Sequence, residues 1–427
     1  MLAANRQRMA ALGKPFRLLL VSEVLTVLSM LVGHIAVMWW VAEQGGAKDL
    51  AIYGVMMSVT IFVAMPLLSP LSDRHPKRTL LGSGLIVLTV ETLLLSLLAQ
   101  FWPYQLWVLI PLEMVAVVAI AVMQPAAMTI TAELVGSEQL ADALSLQKSA
   151  QSLGRMLGPA LSGLVLAWSG VQAALWLHVV MFAVATWAAF RIPTGSYQAT
   201  IRQRHWGREL LAGLRAKWVI PVERYWTGMA FLTMLFFGPA IGILIPLRVQ
   251  SLSLSPAWLG ACEAALSAGM LLGALVAARW ATQRFGRYRA AVGALMGEGM
   301  ALGLVGVLDV RIALPLCFFA TGLCLSVVQL VGQTHRLLAV PEDFRGRFSS
   351  SNLMVMHLAG TLGPAMSGLL LLQHGVAEIY LVFGAGLLLL AACYPLLPGY
   401  RAFLSLDHDT ARNWYGRQYP QAFEAGK

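Results

Sequence analysis

Apolar runs of roughly 18 to 25 residues follow one another along most of this chain, separated by short polar loops. A helix of that length crosses the ~30 Å hydrocarbon core of a bilayer. The strict alternation that marks membrane-spanning strands is absent from these runs. The pattern predicts twelve transmembrane helices, at residues 17–42, 50–71, 80–100, 105–129, 142–168, 172–190, 226–248, 257–280, 289–308, 312–334, 347–372 and 376–397.

Composition agrees with this pattern. Hydrophobic residues make up 58 % of the chain and charged residues only 12 %, and the mean hydropathy is +0.72. Ordinary soluble domains contain about twice that share of charge. We therefore predict an all-α polytopic membrane protein that lies in the lipid bilayer.

The net charge of +10 could indicate a nucleic-acid partner, but the positions of the basic residues argue against one. Every second loop is rich in arginine and lysine, whereas the loops between them hold only Lys48, Arg248 and Arg311. This asymmetry follows the positive-inside bias of membrane proteins. It predicts a multi-pass protein of a bacterial-type cytoplasmic (inner) membrane, with both termini in the cytoplasm.

The longest interruption of the apolar pattern is residues 191–225. It is polar and basic, with an apolar stripe at helical spacing formed by Leu210, Leu211, Leu214 and Trp218. Such a stripe is typical of an amphipathic helix on a membrane surface. We predict an N-terminal half at 1–190, this linker at 191–225, a C-terminal half at 226–397 and a cytoplasmic tail at 398–427, to which the sequence assigns no role.

The two halves contain a repeated segment. Residues 157–164 recur as residues 362–369 with seven of the eight positions identical, and the same displacement carries Gln124 onto Gln329. Six-helix repeats of this kind are typical of transporters, whose substrate site lies near mid-membrane between the halves. We therefore predict two pseudo-symmetric six-helix halves.

The loop between the second and third predicted spans carries an acidic and basic motif, Ser69-Pro70-Leu71-Ser72-Asp73-Arg74-His75-Pro76-Lys77-Arg78. It resembles the G-x-L-a-D-R-x-G-R-R/K-R motif of the major facilitator superfamily, although Ser69 and Pro76 replace glycines. The resemblance implies a conformational latch, in which the acid pairs with basic residues and holds the halves in one state, formed by Asp73, Arg74, Lys77 and Arg78. The general excess of basic residues in cytoplasmic loops would by itself also explain Lys77 and Arg78.

The fifth predicted span contains Gly154, Gly158, Pro159 and Gly163. This spacing resembles the antiporter motif of the superfamily's drug and proton exchangers, while close helix packing and a proline kink are the simpler interpretation. Two further stretches resemble sequence patterns of the macrolide-efflux and enterobactin-exporter branch of the same superfamily, at residues 125–144 and 341–350. The resemblance spans residues 16–397 and implies an exporter of a small amphiphilic molecule.

Carboxylates at membrane depth are costly and are therefore functional candidates. Glu23, Glu113 and Glu263 lie inside the first, fourth and eighth predicted spans, which line the central cavity in this superfamily. A carboxylic acid enclosed in protein can exchange a proton near neutral pH, because burial disfavours its charged form. These three residues are the candidates for proton coupling, whereas Glu91 and Glu298, in spans that are peripheral in the superfamily, favour a packing role.

A polar stripe follows one face of the fifth predicted span. Arg155, at the end of this stripe, is roughly 20 Å from the cytoplasmic start of the helix. Two interpretations remain open: an internal salt bridge from Arg155 to Glu23 or Glu113, or a site for an anionic substrate, since the guanidinium fork suits carboxylates. His357 is a lone histidine in an apolar run, and packing in the protein core is the alternative to a role in the cavity. The substrate-cavity candidates are Gln124, Gln147, Lys148, Gln151, Arg155, Gln329 and His357.

Several site classes find no support. The four cysteines lie in apolar runs without metal-ligand spacing, and neither a phosphate-binding G-x-x-x-x-G-K-[ST] loop nor a hydrolase motif occurs. We expect no cofactor, no metal and no enzymatic activity. The prediction is a monomeric, proton-coupled, secondary-active exporter of a siderophore-like metal chelator or an antibiotic. An importer or lipid transporter of the same fold remains an alternative, and a membrane-embedded lipid enzyme is a weaker one.

Overall fold

A computed structural model describes residues 13–68, 75–135, 139–192 and 206–423. The regular structure in these ranges is helical. A helix satisfies its backbone hydrogen bonds internally, which an apolar segment in hydrocarbon requires. The predicted all-α architecture is therefore confirmed.

Four helices make up the described N-terminal part: α1 (Gly13–Leu68), α2 (Lys77–Phe101), α3 (Leu106–Leu134) and α4 (Leu140–Phe190). The two long helices, α1 and α4, are interrupted at Gly46 and Gly170, whose φ angles are 67° and 77°. Glycine adopts positive φ without the steric cost that other residues meet. Both glycines lie in the short gaps that the hydrophobic pattern left between predicted spans.

The C-terminal part is built from shorter helices: α5 (Trp206–Val219), α6 (Pro221–Ile241), α7 (Leu244–Ser251), α8 (Pro256–Leu272), α9 (Ala278–Val307), α10 (Ala313–Ala339), α11 (Arg345–Leu371) and α12 (Val376–Cys393). A π-helical turn, Gly273–Ala277, joins α8 to α9. Helix α9 is broken at Gly286, with φ of 78°. Pro221 starts α6 at the helix position that proline favours.

Among the described residues, eight helical stretches are long and apolar enough to cross a membrane, or nine if α6 and α7, bent by 44°, form one span. Three of these stretches, of 53, 49 and 52 residues, each contain one of the positive-φ glycines. Each is about twice as long as one crossing needs. With α6 and α7 counted as one span, division at Gly46, Gly170 and Gly286 would give twelve segments, the number that the sequence predicts.

The described residues cluster into two compact units. The first contains those up to residue 192 together with Ser255–Ala264, and the second contains 206–254 and 265–423. The short segment belongs to the first unit because α8 begins against α4: a Cβ on Gly163 would lie 2.6 Å from the Cα of Gly260. Residues 255–264 therefore cluster apart from the rest of the predicted C-terminal half.

The glycine motif of α4 packs against α1. A Cβ added to Gly154 would lie 3.1 Å from Val27, and one added to Gly158 would lie 2.9 Å from Leu31. The hydroxyl of Ser162 donates to the carbonyl oxygen of Val32 at 3.1 Å. The small residues thus let two helix backbones approach closely, which is the packing role of such spacing.

The linker helix α5 packs on the protein with its small residues. Gly213 and Ala216 are buried, and Gly213 lies against the backbone of Arg347 in α11. Leu211 and Trp218 are 65 % and 70 % exposed. The predicted apolar stripe is therefore divided: Leu211 and Trp218 face outward, whereas Leu210 is buried within the second unit.

The tail forms three short helices that pack into the core of the second unit: α13 (Tyr400–Leu404), α14 (His408–Ala411) and α15 (Trp414–Gln418). The rings of Phe403 and Tyr415 stack at 5.1 Å, and Tyr400 meets Trp226 of α6 edge to face at 4.9 Å. Aromatic pairs of this kind add to the energy of apolar burial. The tail is thus an integral part of this unit.

A buried ionic cluster joins the tail and the linker helix to the transmembrane helices. The carboxylate of Glu223 accepts hydrogen bonds from Arg336 Nε at 3.0 Å and from the Tyr415 hydroxyl at 2.6 Å. Lys217 Nζ lies 3.5 Å from the same carboxylate and 3.7 Å from the centre of the Phe348 ring. A buried charge is tolerated only with such partners, and the loss of one of them is strongly destabilising.

The close contact between α4 and α8 generates a stability prediction. We expect Gly163→Ala to lower the free energy of unfolding by about 1–3 kcal/mol, because the new methyl group meets backbone that no side-chain rotation can move. Gly360→Ala is the matched control, since nothing lies within 4 Å of its Cβ position. Melting temperatures in detergent measure both variants. Equal melting temperatures would contradict the contact.

The ionic cluster generates a pH prediction. Burial, assisted by Arg336, lowers the pKa of Lys217 to about 7, although Glu223 opposes the shift. Below that pH the lysine is charged in both states and the folded protein bears the full cost of burying it. As the pH rises from about 7 toward the unfolded pKa near 10.4, only the folded state loses its proton, and stability increases.

Lys217→Met removes this titration. We therefore expect the stability of the wild type relative to Lys217→Met to rise between about pH 7 and about pH 10. Denaturant unfolding in detergent at several pH values measures the difference. A difference that stays constant over this range would show that folding does not change the pKa of Lys217.

Candidate functional site

The first unit contains a buried carboxylate held by neutral amides. Glu23 of α1 is 6 % exposed, and its two carboxylate oxygens accept hydrogen bonds from the side-chain amides of Gln147 and Gln151 of α4, the second at 3.4 Å. Thr131 of α3 donates its hydroxyl to the amide oxygen of Gln147 at 2.9 Å. Three helices thus meet at one acid.

Helical spacing explains how both amides reach the same carboxylate. Gln147 and Gln151 are four residues apart and therefore lie on one face of α4. An amide can both donate and accept a hydrogen bond, so it can bind the carboxylate and also the protonated acid. The arrangement can hold Glu23 in either protonation state. Thr131 did not figure in the sequence prediction, since nothing in the local pattern marks its hydroxyl as a partner of Gln147.

A second carboxylate group in the first unit lies between α1, α2 and α3. Half-buried Glu113 accepts a hydrogen bond from the buried Tyr53 hydroxyl at 2.9 Å. Glu91 is 3 % exposed, and its charge would repel that of Glu113. Its Oε1 atom has no hydrogen-bond partner within the described part of the chain. Tyr53 is a further partner that the sequence did not reveal.

The third predicted proton carrier stands apart from these groups. Glu263 is half-buried near the start of α8, in the segment that clusters with the first unit. The structure gives it no ion pair or hydrogen bond with any residue that it describes. Glu298 of α9, in the second unit, is buried, and its Oε1 atom likewise lacks a described partner.

The two cations of the polar stripe are more exposed than its two glutamines. Lys148 and Arg155 are exposed on α4, and neither forms an ion pair with a residue in the described ranges. Glu23 is bound by the amides and Glu113 by a tyrosine. The internal salt bridge that was one interpretation of Arg155 is therefore not formed in this structure.

The remaining predicted cavity residues are distributed over both units. Gln124 is exposed on α3 of the first unit, whereas Gln329 is exposed on α10 and His357 half-buried on α11 of the second. The Glu23 group itself is formed by the first unit alone. Among the described residues, no set of three or more histidine, cysteine or acidic side chains could hold a metal ion.

Two of the four predicted latch residues, Asp73 and Arg74, lie outside the described residues. The other two begin α2. Arg78 donates a hydrogen bond from Nη2 to the carbonyl oxygen of Phe190 at 2.8 Å, which ties the start of α2 to the end of α4.

Comparison with known proteins identifies the family. The model of the Major Facilitator Superfamily matches residues 24–281 and 228–405. Macrolide efflux protein A of Streptococcus pyogenes is 22 % identical over 391 residues, which cover 88 % of this chain and 94 % of that protein. The enterobactin exporter EntS of Escherichia coli O81 is 26 % identical over 249 residues, which cover 56 % of each chain.

Solved structures give the same fold. The nucleoside transporter NupG superposes with a TM-score of 0.72 at 12 % identity, over 92 % of this chain and all of that one. A bacterial homologue of the iron transporter ferroportin, in an inward-facing state, superposes with a TM-score of 0.67 at 14 % identity, over 92 % and 99 %. The predicted family is therefore confirmed: this chain belongs to the Major Facilitator Superfamily and is a multi-pass membrane transporter, not an enzyme.

Proposed function

We propose that this transporter is a secondary-active exporter that couples the entry of protons to the efflux of a small amphiphilic anion by alternating access. One observation carries the proposal. The helix that binds the Glu23 carboxylate through Gln147 and Gln151 also exposes Lys148 and Arg155, which have no ion-pair partner in the described residues. The helix that binds the exchangeable acid of α1 thus also carries a cationic surface.

The exposed cations favour an oxygen-rich anion as substrate. A guanidinium presents a planar fork that binds carboxylates with two hydrogen bonds, and glutamine amides offer further donors and acceptors. An unpaired arginine at membrane depth is costly, so a bound anion would relieve that cost. Relatives named for enterobactin export and macrolide efflux support a siderophore-like chelator or an antibiotic as the substrate class.

The same proposal places the protein as a monomer in a bacterial-type cytoplasmic membrane, with both termini in the cytoplasm, as the distribution of basic loops favours. It treats 1–190 and 226–397 as the two halves that alternate. Asp73, Arg74, Lys77 and Arg78 then act as the latch between states, and the glycines of α4 provide the close packing that the exchanger motif implies.

Proton coupling is tested by removing the candidate carboxylates one at a time. In proteoliposomes with an imposed pH gradient, we expect one of Glu23→Gln, Glu113→Gln and Glu263→Gln to abolish proton-driven transport while leaving substrate binding measurable. Glu23 is the strongest candidate for the proton carrier. In Glu23→Gln the amides of Gln147 and Gln151 can still bind the neutral side chain, so the variant should keep its fold. Glu298→Gln, a buried carboxylate of the second unit, is the control and should retain coupling.

If proton exchange persists in all three variants, the coupling proposal is wrong. The direction of transport is measured separately by comparing inverted with right-side-out membrane vesicles. Uptake into inverted vesicles driven by a proton gradient supports export, and uptake only into right-side-out vesicles would replace the exporter with an importer.

The substrate charge is tested at Arg155. We expect Arg155→Gln to weaken the binding of an anionic chelator by roughly 1.5–3 kcal/mol, the scale of a hydrogen bond to a charged group. Arg155→Lys should restore binding only in part, because the fork is lost. Arg311→Gln, which removes an exposed arginine from a loop, is the control, and binding is measured calorimetrically in detergent. Unchanged binding of anionic and cationic ligands by Arg155→Gln would refute the anion proposal.

A further inference from the structure

A cavity of about 710 Å³ lies within the second unit, and none of the candidate substrate or proton-coupling residues lines it. Its walls come from three places in the sequence: the junction of α8 and α9, the second half of α10, and helix α13 with the residue that follows it. The tail therefore supplies one wall of this cavity.

Four arginines line the cavity: Arg279, Arg287, Arg289 and Arg401. No aspartate or glutamate is among its lining residues. None of the four guanidinium groups forms an ion pair with a residue that the structure describes. Because like charges repel one another, a site with four cations and no acid is suited to a ligand that carries more than one negative charge.

One contact each holds Arg287 and Arg401 in place. Arg287 donates from Nη1 to the carbonyl oxygen of Leu406 at 2.9 Å, and the guanidinium carbon of Arg401 lies 5.7 Å from the centre of the Tyr288 ring. The break at Gly286, with φ of 78°, separates Arg279 on one side from Arg287 on the other, and both face the same space. Positive φ makes glycine the favoured residue at this bend.

The rest of the lining defines the ligand further. The hydroxyls of Thr334 and Ser405 add neutral donors, whereas Leu330 and Phe285 give an apolar wall. Arginine binds phosphate oxygens with two parallel hydrogen bonds. Basic pockets between transmembrane helices at the membrane surface are suited to the phosphate groups of anionic lipids.

We propose that this cavity binds a multiply charged, phosphate-bearing anion, and that Arg401 of the tail is one of its ligands. The shared chemistry is the phosphate group. A phospholipid with two phosphates would place its acyl chains along the apolar wall, whereas a soluble polyphosphate would occupy the arginines alone. The site is independent of the substrate and of proton coupling.

The test compares two probes on purified full-length protein in detergent. Ligands that bind the folded state raise the melting temperature, so we measure the shift produced by added cardiolipin and, separately, by inositol hexakisphosphate. We expect Arg279→Gln and Arg401→Gln each to weaken the response by roughly tenfold in ligand concentration, the scale of one charge-assisted contact. Arg284→Gln is the matched control: it removes an exposed arginine from the same segment that does not line the cavity.

The outcomes separate the sources of phosphate. An arginine-dependent shift with cardiolipin identifies the ligand as a lipid, and one with inositol hexakisphosphate alone identifies a soluble phosphate compound. Equal responses in Arg279→Gln, Arg401→Gln and Arg284→Gln would overturn the proposal. Should Arg401→Gln fail to fold, Arg401→Lys keeps the positive charge in place, and it should bind more weakly than the wild type because the fork is lost.

Discussion

The cost of removing a charge from water is the constraint on which this structure depends. An ionised side chain in an apolar surrounding must find partners within the protein. Arg248, one of the few basic residues predicted on the loops poor in positive charge, illustrates the rule: it is 3 % exposed, bonds Asp309 at 2.7 Å and donates to the carbonyl oxygens of Val305 and Leu308. Its burial is therefore compensated at every side of the guanidinium group.

The two best-defined acids solve the same problem in different ways. Glu223 is surrounded by Arg336, Lys217 and Tyr415, so opposite charge fixes it in the ionised form and makes it a structural joint. Among the residues that the structure describes, Glu23 has only amide partners, which bind it without neutralising it. A carboxylate without a fixed counter-charge can change its protonation state at little structural cost. This difference separates a group that holds the fold together from one suited to carry a proton.

The elements of the fold could be predicted from the sequence because their causes are local. Apolar runs of spanning length identify the helices, and Gly46, Gly170 and Gly286 lie in the gaps between them. The partners within the site could not be predicted in this way. Thr131 binds an amide on another helix, and Tyr53 binds an acid two helices away. Such contacts depend on how helices are arranged in space, which hydrophobic periodicity does not encode.

The linker and the tail show the same limit. The apolar stripe of α5 predicted a membrane-facing helix, but Gly213 packs against the backbone of α11 because a residue without a side chain permits a closer approach than leucine does. The aromatic residues of the tail gave no periodic signal, since α13 and α15 are too short to show one. Their role is evident only from the rings of Trp226 and Tyr400 that pack together.

The hydrogen bond from Tyr415 to Glu223 also has a consequence for the order of folding. The two residues are 192 positions apart in the chain, so their contact closes a long loop and carries the entropic cost of that closure. Until the tail docks, the buried carboxylate lacks one of its hydrogen-bond donors. Docking of the tail therefore completes the set of partners around Glu223 and, with it, the core of the second unit.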